Sequence, residues 1–317
     1  MATTKVAAKK PRKIKIAHRK WYQLRRSGPK PVLKKLPKNW TIIKAALATV
    51  WRYRWLFVKI MVVFAILNLL LVRGFSGSGD AAYLKNNLVD AVEGGADKLK
   101  AGGTILAFLA SSSGNTASEA ASAYQTILLI VASLALIWTL RQISVDQKVR
   151  LVMRDAYYRG MTPLVPFICM VFIGAVYLLP FAAGALTYST VIGYGIANGV
   201  VEYGLWALLL VATTAISFRI ILSPLIGLYI VTLPDMTPIK ALKSATQLIR
   251  YRRWALFFKL IFFIAGLLLA GSAIVLPTIF IFPPAAPWVY YIVVMIGLVI
   301  THSYLYNLYR ELINHAP

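Results

Sequence analysis

The chain has 317 residues, 59% hydrophobic and only 14% charged, against roughly 25% charged in soluble domains. Water is excluded as its main solvent, and a bilayer is implied. Its 35 Lys and Arg face 10 Asp and Glu to give +25, with no acid before Asp80 and one cysteine, Cys169, so an intrachain disulfide and a thiolate metal cluster are also excluded.

Residues 1–38 form a basic tail carrying Lys9-Lys10, Arg12-Lys13, Arg19-Lys20, Arg25-Arg26 and Lys34-Lys35, broken by Pro29, Pro31 and Pro37. So little apolar surface cannot offset the entropy of ordering, and disorder is expected. Its cations are candidates for contact with anionic lipid, each contributing about 1 kcal/mol near a charged leaflet. Clustered cations also neutralise nucleic-acid phosphates, so a nucleic acid or ribosome is an alternative partner. With 11 Lys to 6 Arg and Ser27 as its one serine, the segment 1–54 does not fit a transit peptide. The first apolar run begins only at Trp55 and ends without a small-residue cleavage site, so it should remain as an anchor.

Six apolar runs approach the roughly 20 residues needed to cross a bilayer: about 55–72, 122–140, 163–187, 197–218, 255–275 and 287–306. Hydrocarbon offers no partner for backbone polar groups, so the runs should be helices. The expected fold class is all-α, a polytopic membrane protein whose domain 39–317 has six transmembrane helices and cytoplasmic interfacial amphipathic helices. Lys and Arg collect on the cytoplasmic side. Residues 1–54 carry 17 basic groups and no acid; 141–160 carry Arg141, Lys148, Arg150, Arg154 and Arg159 against Asp146 and Asp155. The stretch before the fifth span adds Lys240, Lys243, Arg250, Arg252 and Arg253 against Asp235, whereas 74–121 has Lys85, Lys98 and Lys100 against five acids. Both termini are expected to be cytoplasmic, in a bacterial plasma membrane. The outer loop 74–121 is long, and Ala81, Leu84, Leu88 and Val92 share one helical face ending at Gly94-Gly95, which predicts a short amphipathic helix. After Arg219 the charge-free stretch 220–233 is expected to extend the fourth span through Pro224.

Met-Thr-Pro occurs at Met161-Thr162-Pro163 and Met236-Thr237-Pro238, and a related start lies at Trp40-Thr41-Ile42. Thr suits an N-cap and Pro the first helical position, so three points launch helical units. After Thr237, Lys240, Lys243, Gln247 and Arg250 fall on one face, with Ile239, Leu242, Ala245 and Ile249 on the other. This reads as an amphipathic helix at the interface. It leads through Arg250-Tyr251-Arg252-Arg253-Trp254 into Phe257-Phe258-Lys259, and Arg52-Tyr53-Arg54-Trp55 with Phe57-Val58-Lys59 follows the same order. Duplication and convergence on interfacial chemistry both account for that match. The candidate headgroup contacts are Arg52, Arg54, Trp55, Lys240, Lys243, Arg250, Arg252, Arg253 and Trp254.

The run Arg219, Pro224, Pro238 to Ala241-Leu242 with Ser244, then Arg252-Arg253-Trp254 resembles the membrane domain found with bacterial glycerophosphodiester phosphodiesterases and related six-span proteins. The likeness covers residues 200–270 and implies an Arg in the fourth helix, an amphipathic helix and a basic-Trp turn into the fifth. The chain lacks the attached hydrolase domain, spaces its serine as Ala241-Leu242-Lys243-Ser244 and holds Tyr251 or Arg252 where glycine is common. Enzymatic activity is therefore not implied.

Catalytic groups are sparse. His18, His302 and His315 are the histidines; His302 reads as an interfacial or helix-end group, with a proton carrier as the alternative. Glu202 and Arg219 are the charges most nearly within the membrane, and intramembrane charges are functional candidates by default. Seventeen residues apart on one helix, about 25 Å at 1.5 Å per residue, they cannot pair with each other. Pro180, Pro224 and Pro277 mark kinks, and Gly266, Ala270 and Gly271 offer small surfaces for helix contact. No cofactor motif, phosphate-cradling loop or metal cluster is present in the sequence. The expectation is a non-enzymatic membrane protein that organises lipid or partner proteins at the cytoplasmic face. The alternatives are a small-solute transporter component, a membrane-anchored nucleic-acid or ribosome binder and, less favoured, a membrane-embedded lipid enzyme.

Overall fold

The computed structural model describes residues 36–73, 119–145, 151–196, 199–282 and 285–315. Residues 1–35 of the expected basic tail, and residues 74–118 of the expected outer loop 74–121 with its amphipathic helix, lie outside the described residues. Among the described residues there are ten α-helices and no strand. They are α1 (Asn39–Arg52), α2 (Arg54–Asn68, continued by a π-helical turn over Leu69–Arg73), α3 (Glu119–Val145), α4 (Met153–Gly160) and α5 (Leu164–Tyr177). There follow α6 (Leu179–Gly193), α7 (Val200–Val231), α8 (Pro238–Ile249), α9 (Arg253–Ile281) and α10 (Ala286–Asn314).

Five helices are long and apolar enough to cross a membrane, six if α4 and α5, bent by 70° to one another, make one crossing. Their outward faces are apolar: Val58, Val62 and Ile66 on α2, Leu205 and Leu208 on α7, Phe258, Phe262 and Leu269 on α9, and Ile292 and Ile296 on α10 are all exposed. Water does not tolerate apolar surface on this scale. The chain is a membrane-embedded helical protein.

The third expected span, 163–187, is not one helix. Pro180 has no N–H to give and its ring displaces the carbonyl one turn back, so α5 stops at Tyr177 and α6 restarts at Leu179. The Phe181 N–H left over at the break donates to Ser217 Oγ on α7 at 2.8 Å, the kind of side-chain repair that lets a broken helix persist in lipid. Pro224 and Pro277 do not break their helices and remain inside α7 and α9. The fourth span does extend: α7 has 32 residues, about 48 Å at 1.5 Å per residue against a hydrocarbon core of about 30 Å. Its first half exposes leucine and valine, whereas Leu222, Ile226, Tyr229, Ile230 and Val231 in its second half are buried.

The helices form three units with one plan, a short helix followed by two apolar legs. The first is α1, α2, α3; the second is α4, α5 with α6, α7; the third is α8, α9, α10. Within each unit the two legs pack together, and each short helix packs on the last leg of the unit before it: α4 on α3, α8 on α7, and α1 on α10, which closes the cycle. Small residues make these three docks possible. The carbonyl of Ala46 on α1 accepts the Ser303 hydroxyl of α10 at 3.1 Å. A Cβ added to Gly160 of α4 would lie 3.2 Å from the Ala135 Cα of α3. On α8, Ala241 and Ala245 are fully buried, and Ala245 faces Gly227 of α7.

Of the three Thr starts, one behaves as its sequence suggests and two do not. Thr237 caps α8, accepting the Lys240 N–H. Thr162 instead donates to the Arg159 carbonyl at 3.0 Å and α5 has no side-chain cap, while Thr41 lies inside α1. Ile239 also departs from expectation: the buried face of α8 is Ala241, Ala245 and Ile249, and Ile239 points outward beside Lys240. Of the small residues expected to make helix contacts, Gly271 lies against Val293 of α10, but a Cβ on Gly266 would meet nothing within 4 Å.

Candidate functional site

Two hydrogen bonds fix how the legs run. His302 on α10 meets Ser133 on α3, and Arg310 further along α10 meets Ser144 further along α3, so these helices are parallel. Gly271 beside Val293 and Gly297 beside Leu267 make α9 antiparallel to α10. The start of α2 is held to the same end, because Tyr157 on α4 donates to the Ile60 carbonyl at 2.9 Å and α4 docks on the last part of α3. The turns at Arg52–Trp55 and Arg250–Trp254 therefore share one end of the bundle with Arg141 and Arg310, here termed the basic end.

At that end cations and aromatic rings interleave. The Arg54 guanidinium lies 5.2 Å from the Trp51 ring and 6.0 Å from Trp55, and Lys44 lies 5.7 Å from Trp40. Arg52 rests by Tyr53 at 5.8 Å and Arg250 by Tyr251 at 5.5 Å. Trp51, Trp55 and Trp254 are about 70% exposed (72%, 70% and 69%), so these rings are presented outward, as interfacial Trp are. Lys240 and Lys243 are exposed on α8, and Arg250 is exposed just after it, as the periodicity predicts.

Two of the candidate headgroup contacts are placed elsewhere. Arg252 is buried, with its Nη2 donating to the His315 carbonyl just beyond α10 at 2.8 Å. It closes the joint between α9 and the end of α10, because a helix C-terminus leaves carbonyls that a cation satisfies well. Arg253 is half-buried, and its Nε is enclosed without a hydrogen-bond partner among the described residues. Glu202 and Arg219 are both exposed on α7 and are not brought together. Glu202 lies in the first turn of α7, where a negative charge suits the helix N-terminus. Arg219 follows Phe218, whose ring meets Phe257 edge-on at 5.7 Å, and Phe257 touches Trp254; this puts Arg219 level with the basic end.

Where α1 and α2 meet the start of α4, a cleft of about 550 Å³ opens, lined by Arg52, Lys59, Arg154, Tyr53, Trp55 and Leu56 with Leu151, Val152 and Met153 at the start of α4. Lys59 and Arg154 were not among the candidates. Lys59 sits in the repeated Phe-x-Lys string, but only the docking of α4 beside α2 brings Arg154 to it.

A second polar cluster lies where the last legs of the three units converge. Tyr229 of α7 meets His302 Nδ1 at 3.0 Å, and His302 Nε2 meets Ser133 Oγ of α3 at 3.0 Å. Hydroxyls both donate and accept, so either imidazole tautomer is satisfied. His302 is thus a junction among three helices and not the end of one, since α10 runs on to Asn314. The Tyr229 ring also stacks on Tyr309 at 6.1 Å and tilts against Tyr306 at 6.3 Å. Beside it Arg141 of α3, which the sequence reading did not single out, donates to the Thr232 carbonyl at 2.6 Å and the Tyr229 carbonyl at 3.3 Å. Those are the last carbonyls of α7, and the guanidinium caps them. Its signal in sequence is a lone Arg at the close of an apolar run.

Among the described residues no group of three or more His, Cys, Asp or Glu could hold a metal ion. No protein-family model, curated protein or solved structure matches the chain.

Proposed function

We propose that this is a non-enzymatic integral membrane protein of the plasma membrane, with both termini cytoplasmic, that binds anionic lipid at its basic end and organises lipid or partner proteins there. The observation that carries the reading is the interleaving of Arg54 with Trp51 and Trp55, beside the exposed cationic face of α8. Cations at this level gain from an anionic leaflet, and Trp rings hold the depth. The resemblance to the membrane domain of glycerophosphodiester phosphodiesterases agrees with a lipid-facing role and brings no activity with it. Full-length protein in nanodiscs of mixed phosphatidylcholine and phosphatidylglycerol should enrich phosphatidylglycerol in its annulus, measured by native mass spectrometry. Neutralising Arg54, Lys240, Lys243 and Arg250 together should remove the enrichment. Lipid composition equal to bulk for the wild type would reject the reading.

A second reading, a small-solute transporter component, is favoured by one observation, the Ser133–His302–Tyr229 junction inside the bundle. It predicts that His302→Ala abolishes solute flux in proteoliposomes with folding intact.

A further inference from the structure

The three-unit plan allows the same junction to be compared with itself within one molecule. At the junction of the third unit with the first, Lys259 gives its ammonium to the Pro37 carbonyl at 2.6 Å, two residues before α1 begins. The Lys259 carbonyl in turn accepts from Asn39 Nδ2 at 3.2 Å. That Asn39 also takes the Tyr304 hydroxyl proton at 2.6 Å. The junction is closed by protein. At the junction of the first unit with the second, Lys59 holds the counterpart position in sequence and lines a cleft together with Leu151 and Val152, the residues just before α4. Here the chain leaves the cleft of about 550 Å³, with Arg52 and Arg154 also in its lining.

We propose that this cleft is a specific binding site for the headgroup phosphate of one anionic phosphoglyceride. Lys59 of α2 and Arg154 of α4 line it from separate helices, beside Arg52 at the end of α1, and several cations suit the tetrahedral oxygens of a phosphate better than a single ion pair. A lipid, in preference to a soluble phosphate, is indicated by what adjoins the cleft. Its lining includes Leu56 and Leu151, and Trp55, Val58, Val62 and Ile66 continue from it as an exposed apolar stripe along α2. Their spacing of three to four residues keeps them on one helical face, giving an acyl chain a track down from the phosphate. The proposal rests on the anionic-lipid reading above and adds to it a single address and a stoichiometry of one.

The test uses the full chain in mild detergent, titrated with short-chain phosphatidylglycerol, short-chain phosphatidylcholine and inorganic phosphate, with native mass spectrometry counting bound molecules. The double variant Lys59→Gln with Arg154→Gln should weaken phosphatidylglycerol binding by at least about ten-fold, as two charge-assisted contacts are lost. The matched pair Lys38→Gln with Arg159→Gln removes equal charge at exposed positions outside the cleft and should weaken it by less than about three-fold. Val152→Glu adds a carboxylate at an exposed cleft position and should abolish the site without touching the bundle interior. Equal loss in both double variants, or none in the cleft variants, overturns the proposal and leaves the general lipid reading standing. No preference for phosphatidylglycerol over phosphatidylcholine in the wild type overturns both. Inorganic phosphate binding as tightly as the lipid would reject the lipid as the ligand.

Discussion

The turns at Arg52–Trp55 and Arg250–Trp254 share the order Arg, Tyr, basic residues, Trp, and each places its first Arg against the following Tyr ring. Their fates diverge one residue later. After Tyr53, Arg54 turns outward onto two Trp rings; after Tyr251, Arg252 turns inward to the His315 carbonyl. The lysines that follow part in the same way, Lys59 on an open cleft and Lys259 closed onto Pro37. The neighbour decides: the start of α9 lies against the end of α10 and the segment before α1, which offer carbonyls, while the start of α2 lies near α4, which offers Arg154. One motif becomes a structural joint in one place and a presented basic surface in the other.

Four substitutions sets would break or sharpen this comparison, read by thermal unfolding in detergent. The largest effect is expected where the three units should behave alike. Ala46→Leu, Gly160→Val and Ala245→Leu each overfill a dock between a short helix and a neighbouring leg and should cost about 3 kcal/mol. Gly266→Ala, which meets nothing within 4 Å, should be neutral or slightly stabilising. If one of the three docks tolerates its larger side chain, the cyclic plan does not hold at that junction. Next, Arg252→Ala removes a buried charge-assisted bond and should cost about 2–3 kcal/mol, whereas Arg54→Ala, at an exposed position, should stay within about 0.5 kcal/mol. Similar losses at both turns would erase the distinction drawn between them.

Lys259→Met should lower stability by about 1–2 kcal/mol through the stranded Pro37 carbonyl. Lys59→Met should leave the melting temperature unchanged while phosphatidylglycerol binding falls. A melting temperature equally reduced by both would mean that the first junction is also closed by protein. The smallest effect concerns the twin Met-Thr-Pro. Thr237→Ala should cost about 0.5 kcal/mol, because its hydroxyl caps α8 over a long contact, and Thr162→Ala should cost nothing measurable. The reverse ranking would show that Thr162 is the working cap.

Much of the architecture was readable from residue order. Apolar runs longer than a bilayer is thick leave the chain only helices, so the existence of the crossing legs follows from composition. The amphipathic face of α8 followed from the spacing of Lys240, Lys243, Gln247 and Arg250, and the extension of α7 through Pro224 from the lack of charge after Arg219. The broken leg at Pro180 was not readable, since Pro224 and Pro277 are also proline within apolar helices and do not break them. Ser217, which takes the Phe181 N–H, stands 36 residues away. Arg252 could not be told from Arg54 because both sit beside Trp in basic turns, and what separates them is the carbonyl of His315, 63 residues further on.

What the sequence by itself determined is therefore local and periodic: a membrane as solvent, helices as the only backbone solution there, basic and aromatic residues clustered before the first and fifth spans, and the capped start of α8 at Thr237. The tertiary structure decided which of those residues are consumed by the protein and which are presented. It joined Ser133, Tyr229 and His302 from three separate legs, buried Arg252, and set Lys59 and Arg154 across a cleft. The physical reason is that a hydrogen bond or a cleft depends on which elements become neighbours after the helices pack. That choice was made here by small residues such as Ala46, Gly160 and Ala245 at the docks, far in sequence from the side chains whose roles they settle.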